Sequence, residues 1–125
     1  MSAYHADMEI QQKEESLTSL QSTIRKLEKA AETQMQKGLP AKVTIQRLEA
    51  MRIACAVVAE EKTSEFSKTK MKEAQRLLRS LLPTLNCMLP NFTERSSQHT
   101  LLVRRIRSIE LALARLDEML GKDLS

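Results

Sequence analysis

The sequence predicts an all-α protein, an antiparallel bundle of three to four helices with coiled-coil-like heptad packing. Three observations carry this expectation. Among 125 residues there are only 2 Gly, 3 Pro, 1 Tyr, 2 Phe and no Trp, too few turn formers and aromatic side chains for a β-rich fold. Apolar residues make up 42 % of the chain and charged ones 29 %, enough to build a core and too little charge for a disordered chain. The apolar residues recur at spacings of three and four over long stretches, which puts them on one helix face. The length suits one domain, so residues 1–125 are read as a single helical domain with three helical blocks.

The first block is expected over about residues 6–37. Leu17, Leu20, Ile24, Leu27 and Ala31 form its seam, and the apolar stripe is narrow, the width of a coiled-coil contact. Gly38 stands where a left-handed cap ends a helix, and Pro40 suits the first turn of the next one.

The second block is expected over about residues 41–82. From Ile45 through Leu48, Met51 and Ile53 to Ala59 its apolar residues point in nearly every direction, so this segment is expected at the centre of the bundle. Residues 62–70 are polar and poor in helix formers, and the reading leaves open whether they break the block or sit exposed in one long helix. The heptad returns at Met71, Ala74, Leu78, Leu81, Leu85 and Met88, with Pro83 expected to end or kink the helix near Leu81 or Leu82.

The third block is expected over about residues 93–120. Asn91 with Glu94 reads as its N-cap and partner, with Thr93 the competing cap. Leu102, Ile106, Ile109, Leu113, Leu116 and Leu120 form its seam, and Gly121 ends it.

Few chemistries survive a reading of the side chains. The two histidines, His5 and His99, belong to no paired ligand motif, and Cys55 and Cys87 lack the spacing of a zinc or redox pair. Both cysteines lie among apolar neighbours and are expected to be buried free thiols. No glycine loop cradles a phosphate and no serine sits on a nucleophile elbow. The carboxylate pairs, such as Glu28 with Glu32, read as solvated faces. The expectation is a protein that is not an enzyme, with no cofactor, no metal and no small-molecule substrate. The longest nearly apolar run, Met51 to Val58, contains Arg52 and falls far short of the ~20 residues of a membrane span. With a polar, acidic start in place of a secretory leader, a cytoplasmic protein without membrane contact is expected.

Three surface features remain. The narrow seam of the first block suits a protein partner or self-association. Charge is segregated: residues 1–36 are net acidic, whereas residues 62–107 hold ten basic side chains against three acidic ones. Lys68, Lys72, Arg76 and Arg79 form a stripe, and Arg104, Arg107 and Arg115 form another, either of which suits a nucleic-acid backbone. Leu111, opposite its seam and flanked by arginines, reads as the exposed centre of a small interface, so that Leu111→Asp should spare folding. The function expected is a non-enzymatic helical interaction module, a small subunit, adaptor or inhibitor. The alternative is a sequence-nonspecific nucleic-acid backbone binder that uses the two stripes.

Overall fold

The computed structural model describes residues 3–61, 63 and 65–121, with side chains from Asp7 onward. His5, Lys62 and Lys122 therefore lie outside the described side chains. Four α-helices follow one another: α1 (Ala3–Gln36), α2 (Lys42–Ala59), α3 (Lys68–Met88) and α4 (Ser97–Leu120), with a single 3-10 turn at Leu89–Asn91 between the last two. The four pack against each other, and no strand occurs among the described residues.

Each helix end has a local cause. α1 closes at Gly38, whose φ of 69° is open to glycine without strain. The Gly38 N–H donates to the Met35 carbonyl at 3.1 Å and the Leu39 N–H to the Gln34 carbonyl at 2.8 Å, the paired closure of a Schellman cap. Pro40 lies outside α2, which starts at Lys42 after Ala41 without a side-chain cap. The expected role of Pro40 in the first helical turn is corrected: it follows the cap of α1, where a residue unable to continue a helix is common.

Glu60 ends α2 in the same manner without glycine. Its φ is 60°, and the Glu60 and Glu61 N–H groups donate to the Val57 and Ala56 carbonyls. A side chain in this region works against its own backbone, so contacts elsewhere must hold it. The Glu60 carboxylate accepts a hydrogen bond from Arg115 of α4 and faces Lys13 of α1 at 3.6 Å. Arg115, then Lys13, hold its pKa below the ordinary 4.5. A depressed carboxylate stabilises the fold above its unfolded pKa, and that contribution fades as pH falls through the folded value. Glu60→Gln should therefore melt below the wild type at pH 7, and the gap should close toward pH 3. Thermal melts across that range check this; a constant gap would show that the charge of Glu60 does not matter.

The second expected block is two helices. The chain leaves helical geometry after Ala59 and re-enters at Lys68, where the Ser67 hydroxyl caps α3 by accepting from the Lys70 N–H at 3.1 Å. Residues 68–70, read with the polar stretch, are the first turn of α3. Of the two outcomes expected at Pro83, an end near Leu81 or Leu82 does not occur, and α3 runs on to Met88. Proline removes one internal N–H and crowds the preceding turn at a cost of ~3 kcal/mol. Here Pro83 is solvent-exposed, while Leu81, Leu82 and Leu85 on either side of it pack on the core and hold the segment helical. The third block starts later than expected: Ser96, rather than Asn91 or Thr93, caps α4 by accepting from the His99 N–H at 3.1 Å. Asn91 is in the 3-10 turn, so its backbone is already committed.

Contacts give the order of packing. Lys13 meets Glu60 and Glu28 meets Arg52, so α1 and α2 run in opposite directions. Gln75 meets Gly121 and Arg79 meets Asp117, so α3 and α4 do too. α2 and α4 touch across the middle, while α1 and α3 make no contact among the described residues. The core joins Leu20 of α1, Ile53, Ala54 and Val58 of α2, Leu78 of α3, and Ile109, Leu113 and Leu116 of α4. α2 carries its buried residues from Leu48 to Val58 and touches all three other helices, as α4 does. Ile45, expected inside with them, is exposed, because it lies in the N-terminal turns of α2, ahead of the buried stretch.

Candidate interaction surface

The predicted basic residues do not form one patch. Lys68, Lys72, Arg76 and Arg79 lie on the outer side of α3, away from the inward Met71, Ala74, Gln75 and Leu78. Arg104, Arg107 and Arg115 lie on α4 beside α1 and the end of α2. Because α1 and α3 are apart, the two stripes open onto different grooves. Arg76 lines the α2–α3 cleft, whereas Arg104 and Arg107 line the α1–α4 side.

Several of these cations are already engaged. Arg79 binds Asp117 at 2.7 Å, Arg104 faces Glu15 at 3.6 Å, and Arg115 binds Glu60. Lys70 Nζ reaches both carboxylate oxygens of Glu49, at 3.0 and 3.1 Å, and this hydrogen bond raises the Lys70 pKa above the ordinary 10.5. Such exposed pairs add little to stability, because water screens them. Their consequence here is directional, since these groups point at neighbouring helices. Lys68, Lys72 and Arg107 have no ion-pair partner among the described residues.

Leu111 is not the exposed side chain that was expected. It is half-buried and packs on the core, at the edge of a cleft of about 260 Å³ with Gln12 and Ser16 of α1. The α1 helix covers the face of α4 that the sequence pattern left open. With it falls the expectation that Leu111→Asp spares folding. The same packing uses the α1 seam: Leu20 and Ala31 are buried, and Leu17, Ile24 and Leu27 pack on the chain's own core.

A second cleft, of about 450 Å³, lies between α2 and α3. Ala50, Ile53, Ala74 and Leu77 form its apolar lining, and the Glu49–Lys70 pair spans it. The two alanines leave this space because neither side chain reaches across the gap.

Four apolar side chains close to the α1–α2 turn are exposed, a feature that heptad reading misses. Met35 is 65 %, Leu39 53 % and Val43 61 % exposed, with Ile45 close behind. A local signal for it exists. The residue after a Schellman glycine normally packs on the last turn of its own helix. In this chain that residue is Leu39, while Thr33 and Gln34, which would receive it, are polar.

The cysteines depart from the buried pair that was expected. Cys87 is exposed and Cys55 is half-buried, and both are free. Burial, then the charge of Glu61, raises the Cys55 pKa, which keeps it a thiol and away from the reactive thiolate. Among the described residues no three His, Cys, Asp or Glu side chains converge as metal ligands, and no helix is long and apolar enough to cross a membrane. No protein-family model, curated protein or solved structure matches the chain.

Proposed function

We propose that the chain is a non-enzymatic helical interaction module, a small subunit, adaptor or inhibitor that docks on a protein partner or on a second copy of itself. The exposed apolar corner of Met35, Leu39, Val43 and Ile45 carries this reading. Apolar side chains exposed on both sides of one turn add nothing to the core, and a partner that covered them would remove that surface from water. The heptad seams of α1, α3 and α4 are part of the same reading, as coiled-coil-like packing that keeps the bundle rigid while the corner docks. The nucleic-acid alternative has less support: Arg79, Arg104 and Arg115 are engaged by carboxylates, and the chain holds too few aromatic residues to stack bases.

The test places a photo-crosslinking amino acid at Val43 in the full chain inside its own cells, with light scattering on the purified protein for mass. A discrete adduct, or a concentration-dependent mass above the monomer, is expected. Either should be lost in Leu39→Asp with Ile45→Asp. A strict monomer that forms no adduct overturns the reading.

A further inference from the structure

Three cations on the α1–α4 side differ from those that clamp the helices. Arg25, Lys26 and Arg105 have no carboxylate partner among the described residues, yet they line one groove together with Arg104. Arg105 is half-buried, and its Nε is shut away from solvent with nothing to donate to. The Arg105 guanidinium also has no carboxylate to balance its charge, and an anion brought to its open side would accept charge-assisted hydrogen bonds from the terminal nitrogens. The hydroxyls of Thr18, Ser19 and Ser22 line the same groove, which encloses about 520 Å³.

The shape and the rest of the lining narrow the occupant. On α1 the groove runs from Gln11 to Lys26, roughly 20 Å at the helical rise, the length of about four turns of a partner helix. Leu101, 63 % exposed, lines the same groove and offers an apolar anchor. Glu14 and Glu15 line the part of α1 away from Arg25 and Lys26; Glu15 faces Arg104 there, and Glu14 would repel a continuous phosphate backbone.

We infer that the α1–α4 groove docks an amphipathic helix of a partner protein. Its carboxylates lie over Arg25, Lys26 and Arg105, an apolar residue lies on Leu101, and a neutral or cationic half lies over Glu14. This inference rests on the reading of the chain as an interaction module and adds the chemistry of one partner. Helix-in-groove docking uses the same division of labour, with apolar contact for affinity and charge for register.

The test uses the purified full chain and three fluorescein-labelled probes in an anisotropy titration. The first is a stapled helical peptide of about 18 residues, with leucines on one face and glutamates in one half. The second is the same peptide with lysines in place of the glutamates, and the third is a DNA duplex of similar length. The acidic peptide should bind about tenfold tighter than the lysine peptide or the duplex. Arg25→Glu with Lys26→Glu should weaken it by about tenfold or more, and Leu101→Asp should weaken it separately. Lys68→Glu with Lys72→Glu, on the outer side of α3, should change it by less than about twofold. The substituted residues are exposed, and melting curves matched to the wild type confirm an intact fold. Failure of the acidic peptide to bind, equal binding of both peptides, or binding untouched by both groove variants overturns the inference. So does preference for the duplex that is lost with Arg25 and Lys26, which would make the groove a phosphate-backbone site. None of these outcomes bears on the Val43 crosslink, which reads a different surface.

Discussion

Leu78→Ala and Leu116→Ala are each expected to destabilise the fold by about 2–5 kcal/mol, the range for emptying a well-packed leucine site. Both side chains are fully buried, and they come from α3 and α4, which share the core with α1 and α2. Most α2 side chains in the same core are short or β-branched (Ala50, Ile53, Ala54, Val57, Val58), and Met51 is the one long side chain among them. For a chain of this size the loss corresponds to a fall in Tm of roughly 10–20 °C, a large share of a typical total stability of ~5–15 kcal/mol. Urea unfolding with unchanged slope checks the size. Leu101→Ala is the control, since that leucine is exposed and should cost less than about 0.5 kcal/mol. A cost for Leu101→Ala equal to that of Leu78→Ala would contradict the packing described.

Asp117→Ala is expected to have the next largest effect. One carboxylate oxygen of Asp117 accepts from Gln75 Nε2 at 2.6 Å and from Arg79 at 2.7 Å. Gln75 is a buried polar side chain in an apolar surround, and its amide also donates to the Gly121 carbonyl at 3.0 Å. Removing the acceptor strands one buried amide N–H, at a cost of about 1–3 kcal/mol. Asp117→Asn keeps an acceptor oxygen and should lose less. A double-mutant cycle separates the two partners: Asp117 with Gln75 should couple by ~1 kcal/mol or more, and Asp117 with the more exposed Arg79 by under ~1 kcal/mol. Equal coupling to both partners would mean that charge, and not burial, holds α3 to the end of α4.

The same triad shows where sequence reasoning reached its limit. Arg79 was legible as one member of a basic stripe, because helical spacing alone puts Lys72, Arg76 and Arg79 near one another. Its partner lies 38 residues away, and nothing local announces that Asp117 will be placed beside it. Gln75 was passed over entirely, since a glutamine between apolar seam positions looks like a solvated residue until a neighbouring helix supplies its acceptor. The corner at Leu39 was more accessible, for its exposure follows from the polar Thr33 and Gln34 on the last turn before the cap.

Local periodicity, composition and turn chemistry determined by themselves that this chain is helical, that Leu20, Leu78 and Leu116 face inward, and that α1 stops at Gly38. Each of these depends on a few neighbouring residues and on backbone sterics. Only the tertiary structure decided that the narrow α1 seam is used within the chain, that α3 passes through Pro83, and that Glu60 holds a left-handed cap between Lys13 and Arg115. It also decided that Arg25, Lys26 and Arg105 meet in one groove. These outcomes depend on which helices become neighbours, and long side chains choose partners by distance in space, which spacing along the chain does not encode.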